Sequence, residues 1–148
     1  MIFGNKIKWF THLNKNAPLL ANEWGSFINV LDACLVNGYS EQQVTNISIV
    51  GNTLVLKYPQ AHQYQQFQVV TITGANNDVL NGVHRITEVS VDGLSMSIEY
   101  ESLVGIVETS LMLTTKITPL GWEKVYNGTN KAVYKFMKDT GKANYLFI

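Results

Sequence analysis

The feature that most restricts this chain is a change of hydrophobic period. Trp24, Phe27, Ile28, Leu31 and Leu35 fall at i, i+3, i+4, i+7 and i+11, one face of a 3.6-residue repeat. This predicts a helix over Glu23 to Val36, with Trp24 on its core face. Asn22 serves as the N-cap, and Glu23 stands where the macrodipole favours a negative charge. Asn37-Gly38 is the stop, because glycine tolerates the left-handed conformation past a helix end. From Val44 the period is two. Ile47 and Ile49 alternate with polar neighbours, Gly51-Asn52 turns the chain, and Leu54, Leu56 and Tyr58 alternate again, which reads as a hairpin. Phe67 to Thr73 and Val83 to Val91 read as strands, entered or left through Gly74-Ala75-Asn76-Asn77-Asp78 and Asn81-Gly82. Asp92-Gly93 is a two-residue hairpin turn. Leu94, Met96, Ile98 and Tyr100 follow in alternation, then Val107, Thr109, Leu111 and Leu113.

Six short strands over residues 44–116, with turn signals every 8 to 12 residues, predict a small antiparallel barrel or sandwich. Short connections require antiparallel pairing, since parallel crossovers need a dozen or more residues. The fold class is α+β, mainly β: an extended arm (1–21), a helix (22–38), the barrel or sandwich (44–116) and a terminal β segment (117–148). In that last segment Asn127-Gly128-Thr129 is read as a turn. Ala132, Tyr134 and Phe136 alternate with Val133 and Lys135. Asp139-Thr140-Gly141 turns again, and Tyr145 to Ile148 reads as a strand and an exposed pairing edge. Pro59 to Gln66 reads as a polar loop.

The two ends carry apolar residues with no evident home. Ile2, Phe3, Ile7, Trp9 and Phe10 lie in the arm, and Trp122, Tyr126, Tyr145, Phe147 and Ile148 in the terminal segment. Amphipathic aromatics are enriched at interfaces, so these ten residues are the expected contacts to partners.

Composition narrows the function classes. Hydrophobic residues make up 46% of the 148 and charged residues 15%, too apolar for disorder. Eleven basic side chains balance eleven acidic ones. The basic excess of a nucleic-acid binder is missing, and copies of the chain would repel one another little. No apolar run approaches the roughly 18 to 20 residues of a membrane helix, and the first ten residues lack the apolar core of a signal peptide. The expectation is synthesis in a cytoplasm, without membrane or nucleic-acid partners.

Catalysis needs a constellation, and none is visible. His12, His62 and His84 lie in an arm, a loop and a strand, without zinc-ligand spacing. No G-x-S-x-G elbow marks a nucleophile. The lone Cys34 flanks the helical stripe and reads as a small near-core residue. Residues 74–78 are rich in oxygen but lack the spaced carboxylates of a calcium loop, so an Asx-rich turn is the better reading. No enzymatic activity, metal or cofactor is expected.

Several blocks together carry a resemblance. They are Lys8-Trp9-Phe10 and Ala17-Pro18-Leu19 in the arm, then Leu31-Asp32-Ala33-Cys34-Leu35-Val36-Asn37-Gly38-Tyr39. Next come His62, Val70-Thr71-Ile72-Thr73-Gly74-Ala75, Leu80-Asn81-Gly82 and Arg85-Ile86-Thr87-Glu88-Val89. Last are Pro119-Leu120-Gly121-Trp122-Glu123-Lys124 and Gly128-Thr129-Asn130-Lys131-Ala132-Val133-Tyr134-Lys135. In this order the chain resembles a family of tailed-bacteriophage virion structural proteins. The middle is similar to small β-barrel inserts of phage tail and baseplate proteins. The resemblance implies a structural protein in many copies, in the tail, baseplate or neck of the virion. A head decoration protein is the nearby alternative. The implied partners are copies of itself and other virion proteins. It supplies no catalytic residues, and it implies relatives that continue further, so that this chain is a short member or a first module. From another class, a carbohydrate- or receptor-binding module that takes a host-surface glycan predicts two or three exposed aromatics on one face, beside loop carboxylates or amides.

Overall fold

The computed structural model describes residues 7–99, 108, 112–137 and 141–148. Within them the protein is mainly β, with one short helical segment and two antiparallel sheets. The larger sheet contains β1 (Tyr39–Gln43), β2 (Asn46–Val50), β3 (Thr53–Lys57), β4 (Val69–Thr73), β5 (Gly82–Val89), β6 (Ser95–Glu99) and β7 (Thr114–Ile117). Their order is β1-β7-β4-β5-β6-β3-β2. The edge strands β1 and β2 are consecutive in the chain, with only Val44 and Thr45 between them. The sheet therefore curls until its edges meet at one corner. There the Val44 N–H donates to Leu113 O at 2.9 Å, and the Thr45 N–H donates to Lys57 O at 2.8 Å. No ladder joins β1 to β2, so the sheet is not closed into a barrel.

The period-two pattern fills the inside of this curl. Cross-strand rows such as Leu54, Ile98 and Ile86, or Ile47, Leu56 and Met96, stack apolar side chains over one another. Val70, Ile72, Leu80, Leu113 and Ile117 complete a core that is essentially dry.

The second sheet is β10-β9-β8, from β8 (Glu123–Gly128), β9 (Lys131–Met137) and β10 (Ala143–Phe147). It packs on the helix. Ile28 and Leu35 meet Ala132 and Tyr134, with Leu31, Val36, Trp122 and Leu146 around them. The helix that precedes the large sheet in sequence thus belongs, in space, with the strands that follow it. Residues 39–117 leave and rejoin this unit at adjacent points, because Tyr39 pairs with Ile117. Gly38 makes the departure possible. Its φ is 74°, and a β-carbon there would collide with the Ile117 carbonyl oxygen.

The helix differs from its expected form. Its α-helical part is α1, Ser26–Leu31, which continues as a π-helical stretch, Asp32–Asn37. Neither Asn22 nor Glu23 begins it. Gly25 at φ 86° breaks the helical path, and the buried Ser26 hydroxyl instead closes a loop by donating to Ala21 O at 2.7 Å. Trp24 consequently stands before the helix and is 90% exposed, which corrects its placement in the core. Phe27 is also exposed. The end falls as expected: Leu120 and Trp122 N–H groups donate to the Cys34 and Leu35 carbonyls, and Lys116 Nζ reaches Asn37 O at 3.0 Å.

Other departures are local. β1 reads as no strand in the sequence, since Tyr-Ser-Glu-Gln-Gln lacks alternation and is held by its pairing to β7. Phe67 is not in β4. It takes φ 69° and points to solvent. The β8–β9 turn lies at Thr129-Asn130, with Gly128 still paired to Lys131. Most of the strand expected from Val107 to Leu113, with Tyr100 and Asp139-Thr140, lies outside the described residues.

Candidate interaction surface

The polar side chains that sequence singles out are tied into the large sheet. His62 is fully buried. Its Nδ1 accepts the Tyr64 N–H at 2.9 Å, which leaves Nε2 as the donor to Ser95 O at 3.0 Å. Both ring nitrogens are occupied, and the ring is held neutral. Burial keeps its pKa below the ordinary histidine value, against the Ser95 carbonyl and the Asp92 charge. The ring stacks on Tyr64, and Tyr58 tilts against both. The Tyr64 hydroxyl donates to Ser40 O at 2.6 Å, and burial pushes its pKa up to about 12. The supposed polar loop, Pro59 to Gln66, therefore plugs the sheet with the buried rings of His62 and Tyr64, while Pro59, Ala61 and most of its glutamines face outward.

The arm is partly spoken for as well. Asn14 is buried and exchanges amide hydrogen bonds with Gln68, at 2.7 and 2.8 Å. It also accepts the Tyr39 hydroxyl at 3.0 Å. Arg85 donates to Phe67 O and to Ile7 O. These anchors tie residues 7–14 to Tyr39, to Gln63 and Gln68 before β4, and to Arg85 on β5. His12 is exposed, and His84 Nε2 bonds Leu80 O at 2.8 Å inside the sheet. Asn76 and Asn77 N–H groups converge on the Glu108 carboxylate at 3.0 Å each. Cys34 is half-buried at the helix, and burial raises its pKa. Among the described residues no cluster of three or more His, Cys, Asp or Glu has the geometry for a metal ion.

The terminal sheet presents a different surface. Its register sorts the side chains by face. Tyr126 lies opposite Val133, which lies opposite Phe147; Glu123 lies opposite Lys135, which lies opposite Tyr145; Met137 lies opposite Ala143. Directly opposed residues share a face. The other face holds Ala132, Tyr134, Phe136 and Leu146, against the helix. There the Tyr134 hydroxyl donates to Asp32 at 2.6 Å, and Lys124 pairs with the same carboxylate at 3.0 Å. Among the described residues, none covers the outer face in this way. Phe147 is 73% exposed, Met137 59%, Tyr126 54% and Tyr145 50%. Large exposed apolar groups gathered on one face, here around the Glu123–Lys135 pair, are the usual mark of an interaction site.

Comparison with known proteins adds nothing to this geometry: no family model, no curated protein and no solved structure matches the chain.

The ten residues expected at interfaces divide into three groups. Ile2 and Phe3 lie outside the described residues. Tyr126, Tyr145 and Phe147 come together on the outer face of the terminal sheet, and Ile7 and Trp9 are exposed along the arm. The others are used internally or lie elsewhere. Phe10 packs on the large core beside Tyr39. Trp122 stacks on Phe136 with centroids 4.3 Å apart. Ile148 pairs with Ala132 and so points to the helix side. Val133 and Met137 complete the exposed face but were not among those ten. The signal for them was the β8–β9 turn, whose true position at Thr129-Asn130 sets Val133 opposite Tyr126.

Proposed function

We propose that the protein is a virion structural protein of a tailed bacteriophage, assembling in many copies in the tail, baseplate or neck. One observation carries the assembly reading: the helix-supported terminal sheet holds Tyr126, Met137, Tyr145 and Phe147 outward on one face, with the half-buried Val133 among them. Burying them is worth roughly 25 cal/mol per Å² of apolar area, so their exposure in the isolated chain is a cost that a partner removes. The sequence blocks quoted above supply the phage context. In this reading the curled seven-stranded sheet acts as a barrel-like spacer that separates and orients contact surfaces. The neutral overall charge suits close packing of copies.

The test is biochemical. Particles are purified from a lysate of cells producing the protein's phage, and their proteins are quantified by mass spectrometry. The chain is expected at many copies per particle, with gold-labelled antibody on the tail or neck. Label over the head would move the assignment to a decoration protein. Absence from purified particles would reject the virion role altogether.

A second reading has one specific observation in its favour. Three aromatics, Tyr126, Tyr145 and Phe147, share one open face, as a host-glycan-binding module requires. Saturable binding on a glycan array that is lost in Tyr126→Ala would favour it; an array without signal would remove it.

A further inference from the structure

The four sheet edges differ in how they resist pairing with another chain. Edges are normally blunted by charge, proline or bulges. On β1, Glu41 is charged, Ser40 takes φ 61°, and the register shifts between Tyr39 and Gln42. On β8, Glu123 and Lys124 are charged and the register shifts before Tyr126. β2 is uncharged and regular, yet its outward side chains include the polar Asn46 and Ser48. β10 has no such device. Ala143-Asn144-Tyr145-Leu146-Phe147 contains neither charge nor proline, and it pairs with β9 in unbroken register. Its outward aromatics also belong to the uncovered face.

The ladder fixes which backbone groups this edge offers. Ile148 and Ala132 exchange N–H···O bonds, at 2.9 and 3.4 Å. Antiparallel pairs alternate between bonded and non-bonded. Leu146 and Asn144 therefore also face β9, whereas Ala143, Tyr145 and Phe147 turn their N–H and C=O groups away from the sheet.

We infer that β10 pairs antiparallel with β10 of a second copy, with Tyr145 opposite Tyr145 on the two-fold axis. This deepens the assembly reading above and rests on it. The edge is self-complementary, as a two-fold interface requires. In this register Ala143 meets Phe147 of the second copy, so every outward backbone group finds its counterpart. Tyr145 and Phe147 of both copies then form one continuous aromatic strip across a six-stranded sheet. Glu123 and Lys135, opposite each other on the same face, give it mixed charge, so a second copy meets no block of like sign. A bare five-residue ladder is small beside a standard interface, and the association is correspondingly weak, with a Kd of roughly 1–100 μM.

The experiment is sedimentation velocity on the full chain from about 1 μM to about 1 mM. The wild type is expected to pass from monomer to dimer. Tyr145→Lys and Tyr145→Glu each place like charges on the axis and should each be monomeric. An equimolar mixture should restore the dimer, because the two charges now oppose. Tyr145→Glu lies opposite Lys135 and suits its own sheet, whereas Tyr145→Lys opposes that lysine, so amide exchange first establishes that both variants keep β10 paired with β9, and the wild-type concentration series tests the pairing without either variant. Val50→Lys, on the β2 edge, should dimerise as the wild type does. A wild type that stays monomeric throughout, or a mixture no more associated than its components, overturns the pairing. A monomeric wild type that is nonetheless abundant in purified particles would sink this edge contact and leave the virion reading standing.

Discussion

The large sheet and the terminal helix–sheet unit solve the same problem in opposite ways. In the large sheet, the alternating apolar positions of the described strands turn inward, while Val50, Phe67, Val91 and Met112 stand singly exposed, and the buried polar groups His62, Tyr58, Tyr64, Gln68 and Thr115 bond one another, the arm or the backbone. The terminal unit has a small core of Ile28, Leu35, Ala132 and Tyr134, and it leaves an aromatic face outside. A curled sheet has an inside and can satisfy itself. A three-stranded sheet with a single helix against it has one face covered by the helix and the other left exposed. The difference is why the association proposed above is placed on the terminal unit and not on the large sheet.

The sharpest way to break this comparison is to end the chain after Thr118. All seven strands of the large sheet and the Asn14 and Arg85 anchors remain. Cooperative thermal unfolding is expected to survive, with amide protection lost across residues 26–37, where the helix has no sheet to pack on. A non-cooperative melt would show that the two units are one.

Next in size is Tyr134→Ala. It empties the centre of the small core and severs the bond to Asp32, a loss of about 3–5 kcal/mol. Hydrogen exchange should report opening of the helix and β8–β10 while residues 39–99 stay protected. Leu56→Ala, costing about 2–5 kcal/mol, should instead lower the global transition. Equal loss of protection everywhere in Tyr134→Ala would contradict the separation.

The third test is pH. The folded state holds His62 neutral with a lowered pKa, so the unfolded chain binds more protons once pH falls below about 6.5. This part of the stability is present above that pH and is lost as the pH falls towards the folded-state value. Urea midpoints should drop between pH 7.0 and 5.5 in the wild type and drop less in His62→Gln. Parallel pH profiles would mean that the ring is not locked neutral.

The smallest effect is expected from Lys124→Ala. Its pairing with Asp32 is partly solvent-exposed on both sides, which limits it to about 0.5 kcal/mol. The change should be confined to the terminal unit and should shrink further in high salt.

Much of this fold was legible from the residues alone. The Gly51-Asn52 and Asp92-Gly93 turns and the alternation through Leu54, Leu56, Met96 and Ile98 locate β2, β3 and β6, because both signals are local. β1 was not legible, because its polar residues are held only by their distant partner β7. Nor was the role of His62 and Tyr64, since a plug is defined by the cavity that it enters. Trp24 misled because the helical period runs through Gly25, whose left-handed conformation cuts Trp24 off from the helix. On the candidate surface, the residue types were readable at Tyr126, Tyr145 and Phe147, and their shared face was not.

By itself, then, the sequence determined the mainly β class, the switch of period after the helix, and the surplus of apolar side chains at the two ends. These follow from composition and short-range repeats. Only the tertiary structure decided that the helix joins β8–β10 rather than the sheet that follows it. It also decided that Trp122 turns inward and Ile148 to the helix side, while Tyr145 and Phe147 stay out. A strand's two faces are chemically alike at Tyr-Leu-Phe-Ile, and which one is buried depends on register and on where the helix lies, neither of which is written in any local pattern.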